Sequence, residues 1–177
     1  MLRILIAAIG DSIEAEAIRQ VLESFGCLVL TKYIGRPNDL ISVLSGAIPF
    51  DADIVMLSGH GEDGAIILPT LADSVYTKNE PKGNFSLAEI DLYLKLTGKT
   101  IISTCCTTGA SDVAAVFSKE NNYIAPDDYV EGNAVLLFMV DFFYQVIQRN
   151  LSIEDAWKHA RSLDDETARF AFYKSNL

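Results

Sequence analysis

Cysteine is scarce and odd in number: Cys27, Cys105 and Cys106 are the only 3 in the chain. Two of them are neighbours in sequence, which is no disulfide framework, so a reducing, cytoplasmic compartment is expected. Positive charge is short as well. There are 14 Lys and Arg against 24 Asp and Glu, a formal net charge of -10. Nucleic acid and anionic membrane surfaces are disfavoured as partners, because phosphates are held by clustered Lys and Arg. A basic substrate or partner fits that balance. No apolar run is long enough to span a bilayer: the stretch 134–140 is too short, and Asp141 interrupts its continuation. Residues 1–10 hold one Arg and a short apolar run, but Asp11, Glu14 and Glu16 follow at once and no small-residue cleavage site is evident. A first strand is expected there rather than a leader. Internal repeats, low-complexity tracts and a domain linker are missing too.

What the chain has is apolar residue in quantity. Half of its 177 residues are hydrophobic and 21% are charged, enough for one domain, 1–177, with a sizeable core. Residues 2–9 form a continuous apolar run, as in a central strand covered on both faces. Asp11 or Ser12 can then cap a helix in which Ile13, Ala17, Ile18, Val21, Leu22 and Phe25 recur at helical spacing. Residues 27–34 read as a second strand. Asn38 or Asp39 is the expected cap of a short helix to about Gly46, and a third strand follows from Asp53. This β-α-β-α-β order predicts an α/β fold with a mainly parallel sheet flanked by helices. Ala65 to Pro69 reads as a short strand of a hairpin. Residues 73–84 are polar, contain Pro81 and Gly83, and read as a surface loop available to substrate. Ser86 caps a helix through about Leu96 with Leu87, Ile90, Leu94 and Tyr93 inward. Helices are also expected over 111–119, over 133–148 as a buried, almost wholly apolar helix, and from Ser152 to a turn near 163–165.

Two stretches carry chemistry. Asp53-Ile54-Val55-Met56-Leu57-Ser58-Gly59-His60-Gly61 is an apolar strand ending in a histidine between glycines. Ile101-Ile102-Ser103-Thr104-Cys105-Cys106-Thr107-Thr108-Gly109 is a β-branched strand ending in a thiol pair and a tight turn. If the two strands are neighbours in a parallel sheet, imidazole and thiol emerge side by side at its C-terminal edge, where open α/β sheets place their sites. A thiol attacks as thiolate. An imidazole can take its proton, and a helix starting after Gly109 places partial positive charge near it. The amides of Gly61 and Cys106 are natural oxyanion-hole donors. The chemistry expected is acyl transfer through a thioester.

Other readings of these residues are weaker. Free cysteines are often small core residues. Zinc held by Cys105, Cys106 and His60 is disfavoured, since adjacent cysteines rarely converge on one ion and no fourth ligand stands at metal-like spacing. No cofactor is implied. A phosphatase loop of the Cys-x5-Arg type is excluded by Ser111 and Asp112 at the arginine positions, and a Gly-x-Cys-x-Gly elbow is absent. Glu62 and Asp63 read as a solvated turn, and His159 as a surface residue.

The motif Ser-Gly-His60-Gly after one apolar strand, with Ile-Ile-Ser-Thr-Cys-Cys106-Thr-Thr-Gly109 after another, resembles the caspase-like (clan CD) superfamily of cysteine peptidases. The similarity is greatest to bacterial CHAT domains, whose pattern is His-Gly after a strand and then Ser-Ala-Cys-x-Thr-Gly after another. The resemblance implies a caspase-like three-layer sandwich and a cysteine endopeptidase, with Cys106 as nucleophile and His60 as general base and acid. Cys105 stands where that family usually has alanine and is the alternative nucleophile. In that superfamily, residues after the next strand help to shape the primary specificity pocket. Asp127 and Asp128 occupy such a place, and one of them is expected to select Lys or Arg before the scissile bond. The partners implied are a protein or peptide substrate and an activating or regulatory protein, with no nucleic acid and no membrane. The rival function is a non-catalytic, caspase-like interaction module acting with a partner protein.

Overall fold

The computed structural model describes residues 1–10 and 13–176, with the backbone alone at Ser111. The capping roles expected of Asp11 and Ser12 lie outside the described residues. Alternating side chains of β-branched and aliphatic residues, buried on both faces, build the centre of the molecule. Strand β1 (Arg3–Ile9) shows this most plainly, with Ile4 to Ile9 all buried. After helix α1 (Ile13–Ser24), the chain returns as β2 (Leu28–Ile34), passes through α2 (Pro37–Leu44) and enters β3 (Ile54–Ser58). A small hairpin follows, β4 (Gly61–Glu62) with β5 (Ala65–Ile66), then α3 (Leu87–Tyr93), β6 (Thr100–Ser103), α4 (Ser111–Ser118) and β7 (Asn122–Pro126). The chain closes with α5 (Gly132–Ile147), α6 (Ile153–Ala160), a 3-10 turn at Thr167–Arg169 and β8 (Phe170–Tyr173).

Six strands form one sheet in the order β2-β1-β3-β6-β7-β8, and β4 and β5 pair separately. All neighbours in the large sheet are parallel except β7 and β8. The register aligns Ala8 with Ser58, and Leu57 with Ser103, so the loops leaving β1, β3 and β6 emerge at one level of one edge. Helices cover both faces. Leu40, Val43 and Leu44 of α2, Ile90 of α3 and Val113 and Phe117 of α4 pack on Leu5, Ala7, Val55, Leu57 and Ile101. Ile18 and Leu22 of α1, Phe138 and Phe142 of α5 and Ala156 and Ala160 of α6 pack on Ile4, Ile6, Met56, Ile102 and Ile124. The α/β sandwich expected from the sequence is therefore present.

Several local expectations are corrected. Helix α2 starts two to three residues earlier than expected: Arg36, not Asn38 or Asp39, is the cap, and Pro37 occupies the first turn, where its missing N–H costs nothing. Helix α3 stops at Tyr93, because Leu94 turns extended and the amides of Lys95 and Leu96 donate to Leu44 O. Leu87 is exposed on it, while Tyr93 and Leu94 reach the core. A capping box joins Ser86 and Glu89 at its start. Helix α5 is one-sided: Leu137, Val140 and Tyr144 face outward. Strand β8 is a finding without a sequence counterpart. It is antiparallel, and Phe170 in it stacks on Phe138 with ring centroids 4.0 Å apart.

The loop 69–86 contains no helix and little pairing, only a bridge from Phe85 to Ile66. It is nonetheless pinned. Glu80 has a fully buried side chain and accepts from Arg36 Nη2 at 2.5 Å, Arg36 Nε at 2.9 Å, Asn38 N at 3.0 Å and Thr77 N at 2.9 Å. This clasp holds its carboxyl well below the usual carboxylate range, through Arg36 first.

Candidate active site

Strand β3 ends at buried Ser58 and delivers Gly59 over the end of β1. A Cβ on Gly59 would lie 2.9 Å from Ile9 Cβ and 3.0 Å from Ile9 O, so the chain can cross there only as glycine. Gly59 N donates to Thr104 Oγ1 at 3.3 Å, stitching the ends of β3 and β6 together. His60 follows, exposed, and its carbonyl accepts from Ile67 N at 3.0 Å. Gly61 then lies flat against the peptide joining the two cysteines. Its Cβ would fall 2.1 Å from Cys106 O and 2.9 Å from Cys106 N. The histidine loop and the thiol loop therefore meet backbone to backbone at the C-terminal edge.

Past β6 a buried hydroxyl network shapes the turn that carries the thiols. Ser103 Oγ accepts from Cys105 N at 3.2 Å and lies 2.9 Å from Thr108 Oγ1, which donates to Cys105 O at 2.7 Å. Tyr123, stacked on Phe117, donates to Thr108 O at 3.1 Å, and Tyr173 donates to Gly109 O at 2.7 Å. Gly109 N donates to Pro126 O at 2.8 Å, and a Cβ there would lie 2.6 Å from Ala125 O. Thr107 sits in the left-handed region at φ 63°, next to Cys106. Its hydroxyl accepts from Gly64 N at 2.9 Å, so the tip of the β4–β5 hairpin is tied to the same turn. The Ser and Thr residues around the cysteine pair are the framework of this turn.

The two thiols have opposite surroundings. Cys105 is fully buried on the face covered by α2, α3 and α4, with Sγ 4.0 Å from Leu57 O. Burial pushes its thiol up to about 12. Cys106 is half-buried, with Sγ 3.8 Å from Val130 O, and its amide has no hydrogen-bond acceptor among the described residues. Tyr129 stands beside it. Burial, and then the charges of Asp63 and Glu62, hold that phenol above its usual range.

Asp127 and Asp128 reach the rim of this site by their main chain. Thr107 N donates to Asp128 O at 3.3 Å. The Asp128 carboxylate is engaged elsewhere: it accepts from Tyr129 N at 2.8 Å and pairs with Arg169. Those two partners hold it below its usual range, the Tyr129 amide first. Asp127 is exposed, and its amide donates to Arg169 O at 3.0 Å. His159, also exposed, lies on the far side of α5, with Nδ1 2.7 Å from Asp141 Oδ2.

One residue at this edge was missed in the sequence. Glu14, in the first turn of α1, accepts from Ser58 Oγ at 2.7 Å and from Thr104 Oγ1 at 2.6 Å. It lines a cavity of about 220 Å³ together with His60, Gly59, Ser58, Ile13, Gly132 and Leu136. The available signal was topological, since the loop after every parallel strand opens at the same edge. A larger hollow of about 670 Å³ lies at the opposite edge, beside Arg3, Phe50 and Lys99, and contains none of these groups. No set of three or more His, Cys, Asp or Glu side chains converges as a metal site among the described residues.

No protein-family model matches the chain, and no curated protein matches it. Among solved structures, the chain is similar to a secreted C11 cysteine protease from Bacteroides thetaiotaomicron in complex with an irreversible peptide inhibitor, with a TM-score of 0.59 at 10% identity. The match covers 92% of this chain and 58% of that one. The shared feature is the fold, a caspase-like α/β sandwich. No helix among the described residues is long and apolar enough to cross a membrane.

Proposed function

We propose that residues 1–177 form one caspase-like domain that acts as a cysteine endopeptidase, close in its motifs to CHAT domains, with a His60–Cys106 dyad. The observation that carries this reading is the backbone contact of Gly61 with the Cys105–Cys106 peptide, which seats the histidine and thiol loops against each other at the edge of the sheet. The difference in burial favours Cys106 as nucleophile, because a thiol pushed up to about 12 inside an apolar core neither ionises nor meets substrate.

In this reading, His60 takes the proton of the Cys106 thiol and the sulfur attacks the scissile carbonyl carbon. The oxygen of that carbonyl becomes an oxyanion received by the amides of Cys106 and Gly61. The C–N bond then breaks, the imidazolium returns its proton to the leaving amine, and a thioester remains on Cys106. Water, deprotonated by His60, hydrolyses it. The substrate is a peptide or protein. The three free cysteines suit a reducing cytoplasm. The half-buried sulfur against Val130 O supports a resting state that a partner protein opens by lifting the segment 127–131.

A second reading, an interaction module without catalysis, draws on that same covered sulfur. Labelling separates the two. An acyloxymethyl ketone carrying a basic residue is expected to attach to Cys106, with attachment lost in His60→Ala. A folded chain in which neither Cys105 nor Cys106 is labelled, with or without a candidate activator, would end the peptidase reading.

A further inference from the structure

We propose that the hollow at the N-terminal edge of the sheet binds an organic anion: a small molecule with an apolar body and a phosphate or carboxylate head. The site stands apart from the peptidase reading, because it lies at the edge opposite His60 and Cys106. Arg3 opens β1, and Lys99 immediately precedes β6, the strand that ends at the thiol turn.

Charge sets this hollow apart from the rest of the surface. The chain carries 14 Lys and Arg against 24 Asp and Glu. Around the hollow that balance is reversed: Arg3, Lys95 and Lys99 line it with a single carboxylate, Asp51. Lys99 takes that carboxylate, with Nζ 2.9 Å from Asp51 Oδ1. Arg3 is left short of acceptors. Its Nη1 lies 3.7 Å from Asp51 Oδ2, beyond hydrogen-bonding distance, and its Nε is buried without a partner. Asp53 accepts from the main-chain amide of Arg3 at 2.8 Å, not from its guanidinium. The guanidinium is held by Phe50 instead, with Cζ 4.9 Å from the ring centroid. The Lys95 ammonium has no carboxylate partner among the described residues. Cationic donors left open in this way are met best by anionic oxygens. Helix α2 ends beside the hollow, and its C-terminal carbonyls would repel an anion. Leu44 O, however, is already occupied by the amides of Lys95 and Leu96, at 2.9 and 3.2 Å.

The remaining walls call for an apolar body. Leu5, Val43 and Val55 are buried behind the hollow, and Ile48 and Leu96 line it half-buried. An inorganic ion would leave these side chains wet, whereas a hydrocarbon tail covers them. The volume of about 670 Å³ falls within the roughly 300–1,000 Å³ of ordinary ligand clefts.

Calorimetry on the full chain tests the proposal with four probes: hexyl phosphate, hexanoate, 1-hexanol and inorganic phosphate. At least one of the two hexyl anions should bind about tenfold or more tightly than both 1-hexanol and inorganic phosphate. Whichever hexyl anion binds more tightly identifies the head group. Arg3→Gln and Lys95→Gln should each weaken that anion by about tenfold and leave 1-hexanol within about twofold. Lys95 is exposed, so Lys95→Gln keeps the test decisive if Arg3→Gln does not fold. Leu136→Asp, in the cavity beside His60, should leave the affinity unchanged. Absence of binding by either hexyl anion would overturn the proposal, as would equal binding of 1-hexanol or of inorganic phosphate. An affinity untouched by Lys95→Gln, or lost in Leu136→Asp alone, would overturn it too.

Discussion

Gly61 and Cys106 are in contact through their main chains: a methyl group on Gly61 would sit 2.1 Å from the carbonyl oxygen of Cys106. No rotamer can relieve that clash, because the obstacle is backbone. Gly61→Ala must push the histidine loop and the thiol turn apart. A displacement near 1 Å at reacting groups is expected to lower the rate of Cys106 labelling by about 100-fold. Labelling kinetics on the folded variant check this, and a rate within a few-fold of wild type would refute it.

The two cysteines should separate cleanly in experiment. Cys106→Ala should abolish ketone attachment. Cys105→Ala should retain it and lose about 1 kcal/mol of stability, the usual scale for trimming one buried atom from a core. Mass mapping of the labelled peptide, with denaturant melts of both variants, decides the point.

Thr108 is a test of the turn rather than of the dyad. Its hydroxyl joins Ser103 Oγ and Cys105 O inside the protein. Thr108→Val keeps the shape, removes the donor and leaves buried acceptors without a partner, at a cost of about 1–3 kcal/mol. Labelling of Cys106 should slow in the same variant, because the turn loses its inner brace. Equal stability and equal labelling would show that the network is dispensable.

The clasp on loop 69–86 gives a pH signature. Arg36 and the amides around Glu80 depress its folded pKa below the unfolded value, near 4.3 for a free glutamate. A depressed carboxylate contributes stability that is fully present above its unfolded pKa and is lost as pH falls through the folded one. Glu80→Gln should therefore melt below wild type at pH 7, and the gap should narrow as the pH drops below about 4. Thermal melts across that range test it, and a gap independent of pH would show that shape, not charge, holds the loop.

Much of the architecture was readable before the structure. β1 and β3 are buried on both faces, so they read as nearly continuous apolar runs, and Ile101-Ile102 of β6 carry the same signal between Thr100 and Ser103; Gly59-His60-Gly61 marks where β3 ends. Strand β8 escaped because it has only 4 residues, alternates weakly and pairs across a distance in sequence with β7. Leu87 was misread because it is the first residue of a 7-residue helix, where apolar spacing to Ile90 does not by itself bury it. Asp127 and Asp128 stood out as a carboxylate pair next to a proline, yet the partner of Asp128, Arg169, comes from a turn that only the antiparallel strand brings near. Glu14 was hidden for the opposite reason: it sits in an ordinary acidic first turn of a helix, and only sheet order places it between Ser58 and Thr104.

The hydroxyl that Tyr173 donates to Gly109 O comes from the last strand of the sheet, 64 positions further along the chain. During synthesis His60, Cys106 and Gly109 therefore leave the ribosome well before the residue that braces their turn. A nascent chain therefore carries the thiol turn without this hydrogen bond until β8 has been made.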